Sequence, residues 1–226
     1  MSQMERFEDI GSNDQISVEH RHRYQIASQF VGPDSRVLDL GCGLGYGSRY
    51  LCRGVSYLGI DISEDAISYC RQVSDVKNVT FEQFNATSIP LPDSSFDVIT
   101  AFEMLEHVPD PSTVVKEARR LLKPDGLFLS STPDRDTYDS LLTEPNLFHV
   151  SEMSLAEYVS CLEDHFKFNK IMGQFFYNLV LHWSLALQSQ TLGKTYPKAS
   201  EIRCFRSTSL VCHHRSQSTS VLAPRS

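Results

Sequence analysis

The chain has 226 residues, 41% of them hydrophobic and 22% charged, enough for one α/β domain with a substantial core. Twenty-one basic residues against 28 acidic ones give a formal net charge of −7, which argues against a protein built to grip a phosphate backbone, RNA included. No run approaches 18 uninterrupted apolar residues, which excludes a helical membrane span. The six cysteines contain no C-x-x-C pair and the first residues are polar, so the chain reads as a cytoplasmic protein with reduced thiols.

In chain order, residues 1–17 are polar and are expected to be a flexible N-terminal segment. A helical pattern runs from Val18 to Phe30 and closes at Gly32-Pro33-Asp34. Arg36–Leu40 reads as a buried strand that enters Gly41-Cys-Gly-Leu-Gly45-Tyr-Gly47 and then a helix to about Cys52. Ser56–Ile60 is a second strand with Asp61 at its end, and Ser63 caps the next helix with Glu64 and Asp65 in its first turn. Further strands are predicted at Val79–Phe84, Phe96–Phe102 and Leu127–Ser131. Between the last two, Asp110-Pro111 opens a helix that Lys123–Gly126 stops. Ser154-x-x-Glu157 is a capping box for a helix ending near Asp164; a sixth strand follows around Phe166–Met172 and a seventh within Thr208–His213. Phe176, Leu179, Val180, Trp183 and Leu187 recur at helical spacing. They read either as core or as an amphipathic lid over an apolar acceptor, with 175–200 as a lid or insert. Residues 215–226 read as a disordered tail. The alternation predicts one domain over 18–214, a parallel sheet with helices on both faces, and a ligand site at the carboxyl ends of the strands.

Asp39-x-Gly41-x-Gly43-x-Gly45 follows a strand and opens a helix, the context a nucleotide-binding glycine loop needs. The spacing is not the G-x-G-x-x-G dinucleotide pattern, and no G-K-S or G-K-T phosphate loop is present. The glycines instead let the backbone approach a ligand closely. Asp61, after the second strand, is placed to accept hydrogen bonds from two ribose hydroxyls.

Asp39-Leu-Gly-Cys-Gly-Leu-Gly45, Gly59-Ile-Asp-Ile-Ser63, Leu121-Leu-Lys-Pro-Asp-Gly126 and Ser131-Thr-Pro133 resemble the class I S-adenosylmethionine-dependent methyltransferases over about residues 18–172. The resemblance implies a Rossmann-like sheet of seven strands with the last antiparallel. It implies Gly41, Gly43 and Gly45, with Asp39 of the same motif, at the methionine end of S-adenosylmethionine. Asp61 would hold the ribose, Ile62 would flank the adenine, and Asn85, Ala86 and Thr87 would border its rim. Asn85 stands where the family usually has Asp, and its side-chain carbonyl would meet the adenine amino group. Phe102 joins the cofactor wall, and Arg23 reads either as a partner of the cofactor carboxylate or as a solvated arginine.

After the fourth strand comes Glu103-Met-Leu-Glu106-His107, with Glu103, Glu106 and His107 at i, i+3 and i+4 on one face of a helical turn. One reading is a helix start whose acids favour the dipole. The other is a metal site suited to Mg²⁺, Mn²⁺, Fe²⁺ or Zn²⁺. Met104–Pro111 is similar to the ubiquinone-biosynthesis O-methyltransferases. The E-x-x-E-H pattern is also similar to small-RNA 2′-O-methyltransferases, where a downstream histidine completes a divalent-ion site; His149 is the candidate here. His20–Gly47 and Asn146–Glu152 resemble bacterial methyltransferases found with glycan-modifying enzymes. The expectation is methyl transfer to a hydroxyl of a small molecule or glycan, with Glu103, His107 and His149 as candidate catalytic groups. A metal-free N- or C-methyltransferase and a non-catalytic cofactor-binding regulator stay open as alternatives.

Overall fold

The computed structural model describes residues 15–54, 56–138, 146–176, 179–187 and 211–213. In chain order the elements are α1 (Gln15–Ala27), β1 (Arg36–Leu40), α2 (Ser48–Leu51), β2 (Ser56–Asp61), α3 (Glu64–Val73), β3 (Val79–Gln83) and β4 (Phe96–Phe102). There follow α4 (Pro111–Leu121), β5 (Leu122–Pro133), α5 (Arg135–Tyr138), α6 (Leu155–Glu163), β6 (Phe168–Phe176), β7 (Leu179–Leu187) and β8 (Val211–His213). The strands form one sheet in the order β3-β2-β1-β4-β5-β7-β6-β8, and β3 through β5 pair in parallel. This is a Rossmann-like α/β architecture.

Local chemistry sets the helix starts. The Ser63 side chain accepts from Ala66 N at 3.3 Å, and Asp110 accepts from Ser112 N at 3.1 Å with Pro111 in the first turn. Ser154 and Glu157 complete a reciprocal capping box on α6. The sheet's two faces are covered by different helices because successive strand residues point opposite ways. Val37 belongs to an apolar cluster with Tyr24, Ile26, Leu51 and Cys70 from α1, α2 and α3. Leu38 and Leu40 belong to a second cluster with Val114, Val115, Ala118, Leu121 and Leu162 from α4 and α6. Each aliphatic side chain buried this way contributes about 1.5–3 kcal/mol.

Three expectations need correction. The fifth strand starts before Leu127: α4 ends at Leu121, as the Lys123–Gly126 stop implies, but the chain enters β5 at Leu122, with Phe96 paired to Leu122 and Val98 to Leu127 and Lys123–Gly126 forming an irregularity in the ladder. The apolar positions Phe176, Leu179, Val180, Trp183 and Leu187 are not helical but lie in β6 and β7. β7 pairs antiparallel with β5 from Leu127↔Leu187 to Pro133↔Leu181, and with β6 along its whole length. A short apolar run fits either period, and the ladder with β5 decides it. The strand placed at 208–213 is therefore not the seventh but the eighth, with Val211–His213 pairing β6 antiparallel. Of the flexible segments expected at the ends, residues 15–17 begin α1, while 1–14 and 215–226 lie outside the described residues, as does the 188–200 part of the expected lid. No helix among the described residues is long and apolar enough to cross a membrane.

Candidate active site

β1 lies between β2 and β4, and the chain crosses to opposite sides of the sheet there, so the loops leaving these strands splay apart and open a crevice. The loop after β1 holds Gly41, Gly43 and Gly45 at φ +67°, +52° and +74°, a region that costs an L-residue about 1–2 kcal/mol. Two of these glycines serve different ends. A Cβ on Gly45 would stand 2.8 Å from Cys70 Sγ and the Phe81 ring, so Gly45 is packed against the core. A Cβ on Gly43 would meet nothing within 4 Å, so the backbone there borders open space. The Asp61 carboxylate fastens this loop, accepting from Gly43 N with one oxygen and from Ser63 N with the other, each at 2.9 Å.

The crevice is a cavity of about 590 Å³. The loops after β1, β2 and β3 contribute Gly41, Gly43, Asp61, Ile62, Asn85, Ala86 and Thr87 to its wall. α1 and the segments after β4 and β5 contribute Glu19, His20, Arg23, Glu103, Glu106, His107 and His149, and Phe102 also lines it. Ile62 is 59% exposed there, an apolar surface of the kind small-molecule sites present.

Two residues expected in the cofactor site stand behind the wall. Gly45 is one. Asp39 is the other: it is fully buried and accepts hydrogen bonds from Tyr24, Tyr57 and Thr100 hydroxyls at 2.6–3.1 Å. Burial pushes its carboxyl up to about 6 against the pull of those hydroxyls, so Asp39 is a support of the loop. Asn85 is on the wall, but its side-chain carbonyl already accepts from Thr87 N at 2.9 Å and Thr87 Oγ1 at 2.8 Å. The carbonyl expected to meet an adenine amino group is thus engaged in an Asx turn, and the amide offers its NH₂ instead.

Three of the four expected metal ligands come together. One ligand atom from each of Glu106, His107 and His149 lies within 4.8 Å of the others, and the two imidazole centroids are 5.1 Å apart. Glu106 is 1% exposed, and its carboxylate accepts from Thr132 Oγ1 at 3.2 Å. Burial, and then the neighbouring Glu103 charge, push the Glu106 carboxyl well above the usual carboxylate range. Glu103 itself does not join the group. It precedes the 3₁₀ turn Leu105–His107 at φ +51°, so the helical spacing that would align it with Glu106 is broken. Its Oε1 accepts from Ser131 Oγ at 2.6 Å and lies 3.7 Å from the guanidinium of Arg23. Arg23 is 2% exposed, on the cavity wall and also 3.8 Å from Glu19, so it is not a solvated arginine.

Some pairings around the wall carry no sequence signal. His20 Nδ1 and the Tyr46 hydroxyl are 2.6 Å apart across α1 and the glycine loop. His149 Nδ1 is bonded to Glu152, three residues on, a partner that H-x-x-E spacing in a loop does not mark.

The description "Methyltransferase domain" belongs to the family that matches residues 32–195. A Mycobacterium tuberculosis protein named "Probable S-adenosylmethionine-dependent methyltransferase" is 35% identical over 147 residues, covering 63% of this chain and 53% of that protein. A ubiquinone biosynthesis O-methyltransferase of Pseudomonas fluorescens is 41% identical over 106 residues, covering 45% of each. The chain thus spans about half the length of the curated relatives it matches. A solved structure of a Pyrococcus horikoshii protein superposes with a TM-score of 0.66 at 22% identity, covering 79% of this chain and 93% of that one, a likeness of fold. With the family match over most of its length, the glycine loop following β1 and Asp61 closing β2, the chain belongs to the methyltransferase domain family, within the class I S-adenosylmethionine-dependent methyltransferases.

Proposed function

We propose that the protein transfers a methyl group from S-adenosylmethionine to a hydroxyl oxygen of a small molecule or glycan in the cytoplasm, with a divalent cation held beside the acceptor by Glu106, His107 and His149. The observation that carries this is the gathering of one buried carboxylate and two imidazoles within 4.8 Å on the wall of the same cavity that Gly43 and Asp61 line. The names of the relatives support methyl transfer, and two of them, the ubiquinone enzyme and a fatty-acid O-methyltransferase of Mycolicibacterium smegmatis, support oxygen as acceptor atom.

The residues fit the cofactor. The open space over Gly43 is room that a side chain there would take, and Asp61 keeps lone pairs beyond the two used on the backbone. When bound, S-adenosylmethionine supplies a methyl group activated on a sulfonium sulfur. Asp61 would hold the ribose, and Asn85–Thr87 with Ile62 would enclose the adenine. Arg23 would meet the amino-acid carboxylate, exchanging part of its pairing with Glu103. This chain's contribution to rate is alignment of the acceptor oxygen with the methyl and exclusion of water from that line.

The donor set fits a divalent cation. A carboxylate buried as Glu106 is favours either a proton or a cation beside it, and two imidazoles complete a mixed N/O site. Such an ion would supply Lewis acidity toward an acceptor hydroxyl, whose proton would leave to solvent as the methyl passes to oxygen and S-adenosylhomocysteine departs. His107 Nδ1 bonds the Phe148 carbonyl oxygen at 2.9 Å, so it donates there and its lone pair is on Nε2.

The test is a methyl-donor assay against catechols, quinols, sugars and RNA, with Mg²⁺, Mn²⁺ or EDTA present. Turnover on a hydroxyl acceptor that EDTA abolishes and Mn²⁺ restores is expected, with Mn²⁺ binding lost in Glu106→Ala. Undiminished turnover in EDTA, together with a Glu106→Ala protein that binds as much Mn²⁺ as the wild type, would refute the metal assignment. Methylation of nitrogen or carbon acceptors only would refute the oxygen acceptor.

A further inference from the structure

The segment carrying His149 is fastened to the turn carrying Glu106 and His107. Val150 N and Ser151 N donate to the Glu106 carbonyl at 2.8 and 3.1 Å, and Ser151 Oγ donates to the carbonyls of Leu105 and Val108 at 3.1 and 2.6 Å. These bonds fix the position of the His149 backbone but not the rotation or tautomer of its ring. The ring's own partner does that. His149 Nδ1 faces Glu152 Oε1, and the two side chains are 7% and 13% exposed. The backbone of Glu152 is held in turn, since its main-chain carbonyl accepts from Arg135 Nη1 at 3.2 Å.

We propose that Glu152 is a positioning residue whose carboxylate takes the Nδ1–H of His149 and so presents Nε2 as the metal-donor nitrogen. The inference rests on the metal reading given above. An imidazole that donates from Nδ1 keeps its lone pair on Nε2, and a carboxylate acceptor makes that nitrogen a better ligand than a neutral acceptor would. The two histidines thus use the same nitrogen outward with different partners: His107 has a backbone carbonyl, which no side-chain substitution removes, and His149 has a carboxylate. The segment therefore contributes one ligand and the group that orients it, four positions from first to last.

The experiment is a calorimetric titration of Mn²⁺ into the full chain as wild type, Glu152→Gln, His149→Ala and the double variant. Glu152→Gln should weaken Mn²⁺ binding by about 10–100-fold, the range for loss of a carboxylate that orients a metal-bound histidine. Its metal-free melting curve should match the wild type, and the double variant should bind Mn²⁺ no more weakly than His149→Ala alone. Wild-type affinity in Glu152→Gln overturns the proposal. So does a double variant weaker than His149→Ala, because Glu152 would then act other than through His149. A wild type that binds no Mn²⁺ is a different result, since it removes the metal reading itself. If Glu152→Gln does not fold, nitrogen NMR of the metal-free wild type decides. An Nδ1–H tautomer at His149 upholds the assignment and an Nε2–H tautomer overturns it.

Discussion

Asp39 shows how a residue in a binding motif can act without touching a ligand. Its carboxylate is enclosed, and a Cβ on Gly47 would come within 2.6 Å of it, so the glycine loop is folded closely over its hydroxyl partners. A carboxyl that titrates near 3.8 in the unfolded chain and near 6 in the folded one stabilises the fold fully only below 3.8, and that contribution falls as pH rises through 6. Between pH 5 and 7 the loss is about 1 kcal/mol. Denaturant melts of wild type and Asp39→Asn at several pH values test this. The wild type should gain about 1 kcal/mol relative to the variant on going from pH 7 to 5, and a flat difference would contradict the assignment. The sequence shows the motif around Asp39 but not its partners, because Tyr24, Tyr57 and Thr100 lie 15, 18 and 61 residues away. Glu103 is illegible for another reason. Its spacing to Glu106 and His107 is that of a helix face, and only the positive φ turns its side chain to Ser131 and Arg23.

At the scale of elements, the parts set by local chemistry are the ones spacing can reveal. Ser63, Asp110 and Ser154 each cap the helix that the pattern assigns to them, because a short polar side chain one position before an apolar period has few other uses. The Ser154 cap is reciprocal: the Glu157 carboxylate accepts from Ser154 N at 2.8 Å and is also 2.8 Å from Arg135. Ser154→Ala should therefore cost about 1 kcal/mol in a denaturant melt while Glu157 keeps its backbone bond. A loss no greater than that of a substitution on the exposed face of α6 would show that the cap is dispensable. β7 is the opposite case. Leu179–Leu187 contains nothing that distinguishes a strand from a helix, and its conformation follows from the ladders with β5 and β6 on its two sides. Long-range pairing of that kind is absent from any local window.

At the scale of the whole molecule, the parallel order β3-β2-β1-β4-β5 brings residues from Arg23 to His149 onto one cavity wall. The sheet's carboxyl edge gathers dispersed motifs around a single cavity, which is why the strand-helix alternation in the sequence was enough to say where such a cavity would open. A ligand that binds this cavity in the folded chain alone must raise its stability. At a free concentration 100 times its dissociation constant, S-adenosylhomocysteine should add about 2.7 kcal/mol. For a chain of this size each kcal/mol moves the melting midpoint by about 2–4 °C, so the midpoint should rise by about 5–11 °C. The dissociation constant comes from calorimetry and the midpoint from a thermal scan, so neither measurement depends on knowing the acceptor. Adding Mn²⁺ should raise the midpoint further, because the Glu106–His107–His149 group is separate from the residues expected to hold ribose and adenine. If Arg23 releases Glu103 on meeting the ligand's carboxylate, the two rises together exceed their sum, and linkage then requires Mn²⁺ to tighten S-adenosylhomocysteine by the same factor. An unchanged midpoint at saturating S-adenosylhomocysteine would mean that the cavity does not receive it, and the assignment of Gly43, Asp61 and Asn85 would fall with that result.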